Sequence, residues 1–304
     1  MPLQNFSRSL RNPEHPLLRE FSLITALLTG VYVWQQLVAE VLAIVGSPSA
    51  FGGIIVYGLI HGGVLLSGIG LLVGAYASLR EFEIGLKPLS TSDLPIIGVA
   101  VLTPLVLVGL TKLVGIVTNV PYTSLTKTSV AANPPLGPIL AILGLGLLVG
   151  VPTLVLICQI LIQGSFCQAV GADGAIVLTT LTTGFVMTSN TGGLATIPEL
   201  GKLLGLIVFV LLLGVALLGA EKAERRWLRY LAATPIVIFA VIVVLSGVSQ
   251  IESIAGGLFA ATQLTVLGIA AYTYDRSNSL LAPTLAYVSL LLANRTVVVL
   301  EAGM

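Results

Sequence analysis

The chain has 304 residues, of which 56% are hydrophobic and 9% charged, with a net charge of +1 and a mean hydropathy of +1.05. A soluble domain carries about 25% charged residues, so this composition excludes an ordinary soluble surface and makes lipid the expected solvent. The near-zero net charge leaves no electrostatic footprint for nucleic acid or an acidic substrate.

In chain order, the first stretch, Met1 to Glu20, is mostly polar and holds Arg8, Arg11 and Arg19. The apolar run behind it is long enough to span, which is not the pattern of a cleaved signal peptide. Residues 1–21 are therefore expected to form a cytoplasmic tail, and residues 22–304 a single transmembrane domain. Apolar runs predict spans at 22–46, 51–77, 94–118, 137–163, 174–188, 203–219, 232–249, 254–273 and 279–300, against about 20 residues needed to cross the hydrocarbon. The fold expected is all-α: a polytopic transmembrane helical bundle of about nine spans (eight to nine). The weakest is 174–188, short and rich in threonine (Thr179, Thr180, Thr182, Thr183). It reads as a partial span or as a helix buried among others, where hydroxyls bond backbone carbonyls. Cys158 and Cys167 lie in or just after the fourth run and read as small apolar helix residues rather than a disulfide framework.

Basic residues orient these spans. With the N-terminus in the cytoplasm, the inner segments hold Arg8, Arg11, Arg19, Arg80, Lys87, Lys222, Arg225, Arg226, Arg229 and Arg276, and the outer loops only Lys127 and Lys202. The C-terminus is then expected outside. The longest outer loop, 119–136, contains Pro121, Asn133, Pro134 and Pro135 and is too short for a folded domain.

Ionisable residues inside spans are costly and mark candidate functional positions. Glu40 follows Gln35 and Gln36 on one helix face, His61 lies beside Gly62 and Gly63, and Lys112 and Arg295 fall within spans. Gln36, Glu40, His61 and Lys112 are candidates for a polar cavity. The alternative is a hydrogen-bonded seam between helices, a packed His61, and cations that snorkel or pair with a carboxylate. Glu252 and Glu301 sit at span ends, within reach of water. The only other histidine is His15, and neither His-x-x-x-His nor Cys-x-x-Cys occurs, so no zinc or haem site is predicted and no cofactor is expected. No Gly-rich phosphate loop or Ser-His-Asp set can be assembled.

The C-terminal stretch reads Leu267-Gly268, then Tyr272, then Arg276-Ser277-Asn278-Ser279-Leu280, then Ala282-Pro283-Thr284-Leu285-Ala286-Tyr287. It resembles the final signature of the CAAX-processing and bacteriocin-processing (CPBP) membrane protease family. Glu83-Ile84-Gly85-Leu86-Lys87-Pro88 resembles that family's approach to its third span. The resemblance covers about half of the chain and is most evident in 137–300. It implies an intramembrane hydrolase site built from Glu-Glu-x-x-x-Arg, Phe-x-x-x-His and His-x-x-x-Asn, in which a carboxylate activates water and His and Asn stabilise negative charge. Here the last His position holds Tyr287 and the Asn position Leu291, and no histidine follows His61. The Glu-Glu motif has two placements. In 149–159, apolar residues stand for the glutamates and Gln159 for the Arg, with an extra pair of spans inserted before the C-terminal signature. In 220–225, Glu221 and Arg225 are kept. The vestigial positions are thus Gln159, Glu221, Arg225, Met187, Tyr287 and Leu291.

Losing one member of a catalytic set removes most of its acceleration, so the resemblance implies a pseudoprotease with no catalytic residue. Three functions follow. A non-catalytic scaffold or subunit would bind a membrane lipid, another membrane protein or a second copy of itself, with the old site closed and a face such as 143–150 open to a partner. An active protease with a rearranged site would use Glu221 or Glu40. A transporter or channel would line a polar path with Glu40, His61, Lys112 and the threonines.

Overall fold

The computed structural model describes residues 15–46, 51, 53–81, 84–127, 136–189, 192–223 and 226–303. Arg8, Arg11, Glu83, Asn133, Pro134, Pro135 and Arg225 lie outside these residues. The described chain is helical: α1 (Pro16–Val45), α2 (Ile54–Arg80), α3 (Leu94–Val117), the single turn α4 (Tyr122–Leu125), α5 (Leu136–Leu145), α6 (Val151–Val155), α7 (Gly164–Met187), α8 (Leu200–Lys222), α9 (Arg226–Ser249), α10 (Ile254–Ser277) and α11 (Leu281–Ala302). Two isolated bridges, Leu86 to Ser279 and Thr188 to Leu194, are the only strand-like pairings among the described residues.

Among the described residues, eight helices are long and apolar enough to cross a membrane, and the protein is an all-α polytopic bundle. One of them, 137–187, is 51 residues long, about 76 Å at helical rise and more than twice the hydrocarbon thickness. It breaks at Gly171, whose φ of +74° and ψ of 178° leave the helical region in a conformation that glycine adopts without steric cost. The break divides this helix into 137–170 and 172–187. The shorter part is the threonine-rich one, and two of its hydroxyls bond within the helix: Thr180 Oγ1 donates to the Ile176 carbonyl at 2.8 Å and Thr183 Oγ1 to the Thr179 carbonyl at 2.7 Å.

The helix α1 starts earlier than hydropathy predicts, so 16–21 belongs to the bundle and not to a tail. Pro16 supplies the first-turn proline, which needs no intrahelical N–H partner. Glu20 is buried because Arg80 donates to it at 2.6 Å. A charge that reads as tail in sequence is neutralised by a residue sixty positions away.

Proline shapes the centre of the bundle. Between α5 and α6, residues Gly146–Gly150 form a π-helical turn, and Leu156–Gln163 a second one. Pro152 has no N–H for the carbonyl four residues back and crowds it, which forces the wider turn at the first segment. In the same turn Thr153 Oγ1 donates to the Val149 carbonyl at 2.8 Å. Wide turns of this kind re-aim side chains and recur at functional sites.

The helix α3 packs against α10 and α11, which pack on each other; α7 lies on α10, and α1 lies on α8, α2 and α7. Only α8 is a substantial neighbour of α9 among the described residues. Polar contacts gather at two ends. At the Arg80 end, His15 Nε2 meets Glu221 at 2.9 Å, Asp173 approaches Arg276 at 3.9 Å, and the Gly85 N–H donates to Tyr274 Oη at 3.2 Å. At the opposite end, Glu301 accepts from Lys112 Nζ and from the Tyr122 and Thr123 N–H groups at 3.0 and 2.7 Å.

Candidate functional site

A cavity of about 290 Å³ lies between the α5–α6 wall, α10 and α11, near the Glu301 end. One wall presents Ile142, Gly146 and Gly150 at four-residue spacing, the helical repeat that aligns one face. The facing wall is Tyr287, Leu291, Arg295 and Val298 of α11, and α10 adds Phe259 and Gln263. The turn after α7 covers the top. There Gly192 and Gly193 take φ values of +88° and +83°, which suit glycine. A Cβ on Gly192 would stand 2.7 Å from the Leu125 carbonyl oxygen, so glycine is what lets this turn close on α4.

The floor is polar but shut. Gln159 and Tyr287 are both buried, and Gln159 Nε2 donates to Tyr287 Oη at 3.1 Å. Cys158 is buried next to them. Gln159 Oε1 has no partner among the described residues. Four residues on, Gln163 Nε2 donates to the Ala271 carbonyl at 2.8 Å. An amide and a phenol facing each other supply no base and no imidazole, so this pair positions the Leu156–Gln163 segment against α11 and offers no proton-abstracting group at physiological pH. Tyr287→Phe is expected to cost about 1–2 kcal/mol, because it orphans a buried amide N–H. Gln159→Leu should cost less, since its carbonyl is already unpaired and the Tyr287 hydroxyl it leaves behind keeps Cys158 as a hydrogen-bond partner. Thermal melting of the detergent-purified variants checks the order.

Of the vestigial positions, Gln159 and Tyr287 are brought together and Leu291 stands one turn above Tyr287, with its Cδ1 3.1 Å from where a Cβ on Gly146 would lie. Met187 is buried at the end of α7 and does not line the cavity. Glu221 does not join them: it is half exposed at the end of α8 and meets His15. Arg225 lies outside the described residues.

The expected polar cavity of Gln36, Glu40, His61 and Lys112 does not form, and none of the four lines the cavity above. The buried stripe of α1 runs through Ile24, Leu28, Val31, Val38 and Leu42. At 100° per residue this turns Gln36 and Glu40 away, and both are exposed. His61 sits edge-on to Tyr57, ring centroids 6.1 Å apart. Lys112 is bound by Glu301. The 143–150 face is also taken up within the chain: Leu145 and Val149 seat on Gly58 and Gly62 of α2.

Sequence reading missed Gln263, Asn294, Tyr122 and the Gly192–Gly193 turn. Gln263 is 1% exposed, and neither of its amide atoms has a partner among the described residues. Asn294 Oδ1 accepts from Tyr122 Oη. A search for buried amides in spans, alongside ionisable groups, would have found Gln159, Gln163, Gln263 and Asn294 together. No family model, curated protein or solved structure matches this chain.

Proposed function

We propose that the protein is a non-catalytic multi-pass protein of the cell membrane that holds a lipid or a segment of a membrane partner in the cavity between α5, α10 and α11. In this reading it is a degenerate relative of the CPBP proteases, a scaffold or subunit. The charge bias assigns its Arg80 end and N-terminus to the cytoplasm and its C-terminus to the outside.

The observation that carries this reading is the contrast between floor and cavity. In the first placement, the positions where the resembled proteases hold an arginine and a histidine are occupied by a closed Gln159–Tyr287 pair, with Leu291 in the asparagine's place above and apolar residues for the glutamates, while about 290 Å³ beside Tyr287 and Leu291 is unfilled by side chains. The contact of Gln159 with Tyr287 favours the first placement of the degenerate motif. The peripheral position of α9, packed on α8, accords with an inserted pair of spans. A rearranged protease on Glu221 or Glu40 has against it that both carboxylates are exposed and neither lines the cavity.

Photocrosslinking tests the reading. A benzophenone side chain at Leu291 should yield an adduct with lipid or one membrane protein in native membranes, and a filled cavity (Gly146→Leu in the same background) should abolish it. Adducts that are indifferent to filling would defeat the proposal, as would cleavage of prenylated or unmodified peptides by the purified chain.

A further inference from the structure

Two polar groups that line the cavity have no partner among the described residues. Arg295 lies seven residues before the last residue of α11, about 10 Å along the helix axis. Its guanidinium is charged at any physiological pH, yet it has no ion-pair partner among the described residues. Lys112, the other cation within a predicted span, is neutralised by Glu301. A charge at membrane depth requires a counter-charge or water, and Arg295 faces the cavity. Gln263, buried and unpartnered at both amide atoms, lines the same cavity from α10. Asn294 is a third polar group on that wall: its oxygen accepts from Tyr122 Oη, which leaves Nδ2 as the end of the amide that can donate. Besides Thr126, Thr196 and the Tyr287 ring, the remaining lining is apolar, with Ile142 and Leu154 on the glycine-bearing wall and Leu290 on the α11 wall facing it.

From this we infer that the cavity is the seat of an anionic amphiphile. Its oxyanion, a phosphate or carboxylate, is bound by the Arg295 guanidinium. A polar group next to the oxyanion, such as a hydroxyl or an ester carbonyl, pairs with the Gln263 amide. Its apolar tail runs along Ile142, Leu154 and Leu290. The inference rests on reading the cavity as a ligand site, and it adds the class of ligand. Guanidinium and amide donors together select an oxyanion, and the guanidinium disfavours a cation. The volume has room for about ten water-sized groups, enough for a head and the first part of a chain but not for a folded partner. The oxyanion chemistry is shared by a membrane lipid headgroup and by free phosphate; the apolar wall favours the lipid.

The experiment uses the full chain in a neutral detergent, with dihexanoyl phosphatidylglycerol, dihexanoyl phosphatidylcholine and inorganic phosphate as separate probes. Thermal melting and native mass spectrometry give the readout. The anionic lipid is expected to raise the melting temperature and to remain bound in the spectrum, while the zwitterionic lipid and phosphate do neither. Arg295→Gln is expected to weaken anionic lipid binding by about tenfold or more, the effect of a lost charge-assisted contact, with Arg295→Lys keeping most of it and Gln263→Leu losing a smaller part. Gly146→Leu, which obstructs the apolar wall and leaves the head contacts in place, separates the two levels. If Gly146→Leu abolishes binding and Arg295→Gln does not, the anion assignment is overturned while the cavity remains a ligand site. If neither changes it, both are overturned. Equal binding of phosphate and lipid overturns the amphiphile, and retention of an acidic protein segment in place of lipid does so too.

Discussion

Replacing Glu301 by alanine is expected to lower stability in detergent by about 3 kcal/mol. The carboxylate ties three elements at once: Lys112 of α3, the Tyr122 and Thr123 N–H groups that open α4, and α11 itself. Removing it strands a partly buried ammonium and two backbone donors. A lone ion pair at a wet surface is worth about 0–1 kcal/mol; the backbone donors and the partial burial raise this one. The reverse deletion, Lys112→Met, leaves the carboxylate two N–H partners and removes only the cation, so about 1 kcal/mol is expected. Glu301→Gln should fall between, because the amide oxygen still accepts one backbone bond. The order alanine, glutamine, then Lys112→Met is read from melting curves in one detergent. A Lys112→Met loss equal to that of Glu301→Ala would mean that the ion pair, and not the helix-start contact, carries the effect.

This residue also shows where sequence stops being informative. Glu301 reads as a span end within reach of water, and Lys112 as a cation that snorkels or pairs; that they meet is a property of packing. Spans are legible because twenty apolar residues have few alternatives to crossing lipid. Their ends are less so: a buried pair such as Glu20–Arg80 extends a helix under a polar sequence. Facing is the least legible. A lipid-exposed helix is apolar all round, so its composition does not say which side meets protein. That is why Gln36 and Glu40, a coherent stripe, lie opposite the buried face of α1. Gln159 and Tyr287 had significance only as positions in a degraded motif, and their contact across 128 residues of sequence depends on the π-helical segment that aims Gln159. Gln263 carried no motif, and amides draw less attention than charges although a buried one still needs partners.

Glycines record facing better, because a close approach of two helices excludes every larger side chain. Gly58 and Gly62 are four apart, the spacing of a small-residue helix contact. A Cβ on Gly62 would lie 2.5 Å from Val149 Cγ2, and one on Gly58 2.6 Å from Leu145 Cδ1. Gly63, next in the chain, faces open space. Gly62→Val is therefore expected to cost about 2–3 kcal/mol, the upper range for overpacking, and Gly63→Val almost nothing. If the clash with Val149 is the cause, Val149→Ala should rescue Gly62→Val in the double variant by about 1 kcal/mol, a coupling that independent sites do not show. The effect should reach the cavity. Val149 lies in the same π-helical turn as Gly146 and Gly150, whose other face is the cavity wall. Pushing that turn away from α2 moves Gly146 toward Leu291, whose Cδ1 already lies 3.1 Å from where a Cβ on Gly146 would stand, and narrows the space for a ligand. Gly62→Val should then lose lipid retention together with stability, while Gly62→Val with Val149→Ala recovers both. Recovery of stability without retention would separate the wall from the site, and would place the ligand elsewhere on the bundle.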